Sequence, residues 1–197
     1  AHDKVFSLWD AVSSFSIDKV TEDGDGTPVG DLRVAFTDGV PSGSAAFAYY
    51  PSSTAAGGDI YYSTTIDTNG NSVDFVDGEY NWVTALHEVG HALGLSHPFD
   101  GGSKDKSTMN LNLDFQRNTV MTYVQRDRNY TLSYNNNTGA ASIGTTHTST
   151  PGLLDIEAIE AIYGSGGWNY NNGNDTVYGG GADGFATLDN SYDGIRT

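Results

Sequence analysis

Residues 87–98 read HEVGHALGLSHP, and no other stretch constrains the fold and chemistry of this chain as tightly. His87 and His91 are four residues apart, and His97 follows six residues later. On an α-helix, residues four apart share one face on adjacent turns. The first two imidazoles can therefore address a single ion from about 2 Å each. The helix itself is predicted by Trp82, Leu86, Val89 and Leu93, whose spacing of four, three and four makes one apolar stripe. The histidines fall off that stripe, toward a cleft. Asp77 or Asn81 is the expected cap at the helix start. Gly94 is the expected stop, because glycine accepts the left-handed backbone of a sharp C-terminal turn. The reversal then carries His97 to the same ion from another direction, and Pro98 stiffens the exit.

Three neutral imidazoles leave one position open on a tetrahedral zinc ion. Glu88 lies about 100° round the helix from His87, outside the ligand row but near that open position. A carboxylate there can take a proton from water that zinc has acidified toward a pKa near 7. A bare HExxH pair also occurs on ordinary amphipathic helices, and a degraded site would bind metal without acting on anything. The third histidine, Gly94 and the apolar stripe all agree with a metal site, and the presence of Glu88 favours an active one.

The pattern H-E-x-x-H-x-x-G-x-x-H resembles the signature of the metzincin zinc proteases, and within them the chain is most similar to the serralysins. TVMTY (119–123) resembles the Met-turn of that family. The resemblance implies that Met121 floors the zinc site. It also implies that Tyr123 is a further zinc ligand through its phenol oxygen, able to swing away and stabilise the tetrahedral intermediate. Without the upstream motif, Met121 and Tyr123 would read as core packing. PGLLDIEAIEAIYG (151–164) resembles the closing helix of the family. From the residues, Asp155 is its expected N-cap, Ile156, Ile159 and Ile162 or Tyr163 its apolar stripe, and Gly164 its stop. AAFAYYP (45–51) resembles the edge strand above the cleft, which implies that Ala45 and Ala46 pair with an extended substrate by strand addition.

The resemblance implies an α+β, zincin-like fold. Its elements are a twisted, mostly parallel sheet, three main helices, and a zinc cleft between an upper part (1–98) and a lower part (99–164). Matrixins are the nearest alternative, but they carry the tyrosine directly after the methionine, where this chain has Thr122. They also hold a structural zinc on further histidines, where this chain has Phe47 and Tyr61. His2 is expected to be disordered near the terminus. His147 is expected at the surface or on the primed-side cleft wall, within the polar stretch 124–150 that would shape that pocket.

Two features depart from the serralysin pattern. The first helix, with Val5, Leu8, Trp9 and Val12 on one face, begins without the preceding strand of the family. The calcium-binding β-roll of G-G-x-G-x-D repeats is reduced to NGNDTVYGGGADG (172–184), where Asp175 and Asp183 are eight apart rather than nine. Residues 165–197 therefore read as a junction to such a roll, and the chain as the catalytic part of a larger or processed protein.

Calcium is a secondary expectation. DTNGNSVD (67–74) and EDGDGTPVGD (22–31) offer alternating oxygen ligands, although turns use the same residues for backbone reasons. The chain has 197 residues and a net charge of −16 with nine Lys and Arg, which argues for one domain and against nucleic acid or anionic membranes as partners. It has no cysteine, so neither a disulfide nor a cysteine-type latency switch lies in it. No apolar run reaches the roughly 20 residues of a membrane span, and no signal peptide is visible. Secretion is implied by the resemblance alone. A monomer acting on proteins or peptides is expected. The rival readings are a non-catalytic calcium- or metal-binding adhesion or matrix module, and a matrixin-like peptidase restricted to self-processing.

The element reading is a helix over about 3–14 and strands near 15–20, 31–37, 45–50 and 59–63. The active helix follows over 79–93, then a loop-rich stretch to 150 and the closing helix over 155–163.

Overall fold

The computed structural model describes residues 2–21, 29–65, 75–100, 109–110, 112–125 and 130–164. Both proposed calcium loops fall largely or wholly outside these residues, as does the whole junction segment 165–197.

Among the described residues, eight elements follow in order: α1 (His2–Asp10), β1 (Val34–Thr37), β2 (Ala46–Ala48), β3 (Ile60–Ser63), α2 (Tyr80–Ala92), β4 (Tyr130–Asn135), β5 (Ala140–Thr145) and α3 (Leu153–Tyr163). The fold is α+β with three helices, as expected. The sheet differs from the expectation of a mostly parallel one. Its order is β1-β3-β2, with β3 parallel to β1 but antiparallel to β2, and β4–β5 is a separate antiparallel pair. The cause is the short return between β2 and β3, which brings the chain back beside the strand it has just left.

Ile60 and Tyr62 of β3 are buried while Tyr61 and Ser63 are half-exposed, so the strand alternates between core and outer face. On the outer face Tyr61 stacks on Phe47 at 5.1 Å, and Arg33 grips the buried Asp59 at 2.8 and 2.7 Å. On the inner face lies α2, buried from Trp82 to Ala92 on every side. The stripe residues Trp82, Leu86, Val89 and Leu93 are all in the core, with Val5 and Trp9 of α1, Met121, and Ile159 of α3. A helix enclosed all round is a rigid base for side chains projected from it.

Several local expectations are corrected. Residues 15–20 form no strand, because Asp10 Oδ1 accepts the Ile17 N–H at 2.6 Å and turns the chain back beside α1. The N-cap of α2 is Glu79, with no side-chain cap bond, rather than Asp77 or Asn81. The N-cap of α3 is Gly152, so Asp155 lies three residues into the helix. A Cβ at Gly152 would collide with the Asn118 carbonyl, so only glycine fits there. His2 is not loose: its ring packs against Phe75 at 4.5 Å and Tyr62 at 5.1 Å, and this burial lowers its pKa. The stretch read as loop contains the β4–β5 hairpin, signalled by the alternation of YTLSY and the turn at Gly139, whose φ is +70°.

Candidate metal centre

α2 ends as its sequence requires. Gly94 has φ +102°, its N–H donates to His91 O at 2.8 Å, and the Leu95 N–H reaches Gly90 O at 2.9 Å. This pair of bonds is a Schellman turn, which caps the helix and reverses the chain. The reversal sets His97 beside the two helix histidines. His97 Nε2 is 3.1 Å from His87 Nε2 and 3.0 Å from His91 Nε2. Ligands about 2.0–2.1 Å from one tetrahedral ion lie roughly 3.3 Å apart, a few tenths above these separations.

The other ring nitrogens decide the chemistry. His87 Nδ1 lies 2.8 Å from Val120 O, His91 Nδ1 2.7 Å from Leu95 O, and His97 Nδ1 2.7 Å from Asp100 Oδ2. Every partner is an acceptor, so each Nδ1 carries the hydrogen and donates it. In neutral rings each Nε2 then presents a lone pair, and those of His87 and His91 face that of His97 at 3.1 and 3.0 Å with no hydrogen between them. A cation at their focus turns this repulsion into coordination. Burial, and next the neighbouring His91, lowers the His87 pKa to about 3, so this imidazole stays neutral as a ligand must. Among the described residues, His87, His91 and His97 are the group able to hold a metal ion.

Tyr123 joins the cluster, with its hydroxyl 2.8 Å from His97 Nε2. Its ring lies against His87, His97 and Phe99, yet the residue is 68% exposed, so little packing holds it in place. Glu88 is buried, its Oε2 has no hydrogen-bond partner, and burial raises its pKa to about 8. Met121 is buried beneath the helix: a Cβ on Gly90 would stand 2.5 Å from its sulfur and 3.3 Å from the Trp9 ring. Gly90→Ala is therefore expected to displace Met121. It should cost about 1–3 kcal/mol of stability by overpacking, read in a urea titration, and an unchanged midpoint would contradict the contact.

The Met-turn is pinned from below. Asp155 accepts from Thr119 Oγ1 at 2.5 Å, from the Val120 N–H at 2.8 Å and from the Gly152 N–H at 2.7 Å. Thr122 Oγ1 donates to the buried Asp114. The Asp155 bonds fix Val120, whose carbonyl orients His87.

Ala45 and Ala46, the residues expected to meet substrate, are placed unequally. β2 is an edge strand, but Ala45 O accepts the Ser63 N–H at 2.9 Å and Tyr49 exchanges bonds with Asp59 and Gly58. Alternation along the ladder then turns the main-chain groups of Ala46, and of Ala48, away from β3. His147 is half-buried rather than exposed, with Nδ1 near Gln116 Oε1 at 3.2 Å and Gln125 Nε2 at 3.3 Å.

No family model matches the chain. Known proteins do match it. Serralysin of Photorhabdus laumondii is 37% identical over 152 residues, 76% of this chain and 30% of that protein. Serralysin A of Dickeya chrysanthemi is 34% identical over 137 residues, 70% and 26% of the two chains. The chain carries a serralysin-like metalloprotease domain. Metalloprotease AprA of Pseudomonas entomophila is 34% identical over 147 residues, 70% of this chain and 28% of that protein. The aligned part is thus under a third of each of these relatives. Asp100, Gly90 and Asp155 were not singled out as site residues from sequence. Asp100 was detectable, three residues past His97, whereas the carbonyl partners at Leu95 and Val120 leave no sequence mark.

Proposed function

We propose that the chain is a zinc endopeptidase acting on extended proteins or peptides, and the observation that carries it is the convergence of three imidazole Nε2 atoms next in sequence to Glu88, a buried residue whose Oε2 has no hydrogen-bond partner. His87, His91 and His97 hold the ion, with Tyr123 as a fourth ligand. Zinc fits three imidazole nitrogens joined by a phenol oxygen. When bound, it supplies Lewis acidity to the scissile carbonyl and to the attacking water.

The chain's own residues do the rest. Ala46, and Ala48 with it, offer outward main-chain groups to an extended substrate; Ala45 O is already bonded to Ser63. Glu88 takes the proton of the attacking water and delivers it to the leaving amine. Tyr123, loosely held, moves toward the developing oxyanion and donates its hydroxyl hydrogen. The cleft lies between residues 1–98 and 99–164. Secretion, a monomeric state and bound calcium belong to the same reading. They rest on family resemblance and, for calcium, on acidic loops outside the described residues. No helix among the described residues is long and apolar enough to cross a membrane.

1,10-Phenanthroline is expected to abolish casein cleavage, and one equivalent of zinc to restore it. Cleavage that persists with the metal measurably gone would end the proposal. A chain that binds zinc and cuts neither casein nor its own precursor would instead be a non-catalytic module.

A further inference from the structure

The β4–β5 ribbon is oriented against the usual logic of a strand pair. Tyr130, Leu132 and Tyr134 lie on one face of β4, and the register places Thr145, Ile143 and Ala141 opposite them on the same face. This apolar face points to solvent: Tyr130 is 56% exposed, Leu132 74%, Tyr134 62% and Ile143 73%. The reverse face carries Ser133, Asn135, Ser142 and Gly144, which are exposed too. Among the described residues, the ribbon packs chiefly on itself. A lone two-stranded ribbon is marginal in water, and a row of exposed large apolar side chains marks a contact surface.

Its position and chemistry select the occupant. The ribbon is rooted at the metal cleft. Gln125 Nε2 donates to Thr146 O at 3.1 Å, the His147 N–H donates to Gly78 O at 2.7 Å, and His147 sits edge-on to Tyr80, the first residue of α2. Gln125 is two residues past Tyr123, so its bond to Thr146 ties the end of β5 to the segment that carries Tyr123. From Tyr130 to Leu154 the sequence has no Asp, Glu, Lys or Arg, in a chain of net charge −16. The described strands of the patch thus carry no charged side chain of their own. The apolar side chains recur every second residue, about 6.8 Å, which is also the repeat of alternate side chains in an extended peptide. One face of six-residue strands covers on the order of 200–300 Å², well under the roughly 800 Å² per partner of a stable dimer.

We propose that the β4–β5 ribbon is a second docking surface for unfolded protein substrate, gripping aliphatic and aromatic side chains of a segment that continues beyond the metal cleft. This rests on the endopeptidase reading. The test is Leu132→Thr with Ile143→Thr, which keeps β-formers on the ribbon. In the zinc-loaded chain, kcat/KM on casein should fall about tenfold through KM, while a short quenched peptide that fills only the cleft is cut as before. Ser133→Ala with Ser142→Ala, on the reverse face, should change neither. Equal losses on casein and peptide, or no loss on casein, would overturn the proposal. A binding assay separates it from the catalytic assignment. Carboxymethylated, labelled casein is titrated into the Glu88→Gln chain by fluorescence anisotropy, and the added threonines should weaken binding about tenfold. Unchanged binding overturns the ribbon alone. Self-association, or binding to neutral phosphatidylcholine vesicles, that disappears with the threonines would assign the face to another occupant and also overturn it.

Discussion

Replacing Glu88 with glutamine is expected to leave the metal bound and to lower peptide hydrolysis at least about a hundredfold. The substitution keeps the shape of the side chain and removes only its capacity to take and return a proton. The orientation of the three imidazoles does not rest on that carboxylate. The three Nδ1 hydrogens go to Val120 O, Leu95 O and Asp100, so glutamine leaves the tautomers of the metal-binding imidazoles unchanged. Stability should not suffer either. Burial raises the Glu88 pKa to about 8, above its ordinary value of 4.5. For a carboxyl raised in the folded state, the associated stability is complete below the unfolded pKa. It is lost as pH rises through the folded one. Glutamine carries no such loss, so the zinc-free variant at pH 8 should melt no lower than the parent. Zinc content by elemental analysis, casein turnover and a thermal melt on one preparation check all three. A variant that retained most of its turnover would remove Glu88 from the mechanism.

The histidine cluster was legible in sequence because each of its parts has a short-range signature. Two histidines four apart can share a helix face, and Gly94 can only mean a left-handed turn in that position. The Met-turn was legible only by resemblance: Met121 and Tyr123 alone would have passed for core residues. What escaped depends on pairing between distant segments. The sheet was expected to be mostly parallel, and the hydrophobicity of β2 gives no indication of the strand direction it will meet. Ala45 and Ala46 looked equivalent as edge residues, yet the antiparallel register commits one carbonyl to Ser63 and turns the neighbouring residue outward. The hairpin at 130–145 was missed for another reason. Its apolar residues alternate as a strand should, but they face solvent, and a polar, uncharged composition reads as loop. Asp155 looked like a helix cap because acidic residues favour helix starts, and its longer-range partners at Thr119 and Val120 were invisible.

Those partners make Asp155→Ala the second large effect. Three buried or partly buried donors converge on this carboxylate: Thr119 Oγ1, the Val120 N–H and the Gly152 N–H. Each donor left without an acceptor costs about 1–3 kcal/mol. Neighbouring losses do not add fully, and removing a buried carboxylate returns part of its desolvation cost, so a total of about 3–5 kcal/mol is expected. A fall of that size should appear as a much lower urea midpoint with an unchanged slope. The metal should respond as well, because Val120 links Asp155 to His87: its N–H is held by the carboxylate and its carbonyl orients the imidazole. Loss of such a supporting contact lowers metal affinity about 10- to 100-fold, measurable by competition with a chromogenic chelator under conditions where the variant is folded. A milder change, Asp155→Asn, isolates the charge. Burial raises the Asp155 pKa to about 6 from an ordinary 3.8, against the opposing pull of its three donors. The stability tied to this proton is therefore complete below about pH 4 and declines as pH rises toward 6. Asparagine does not titrate. The stability of the parent chain relative to the asparagine variant should thus decrease between pH 4 and 6 and level off above. A difference that stayed constant across that window would mean that Asp155 is ionised throughout it in the folded chain, and that its donors outweigh its burial.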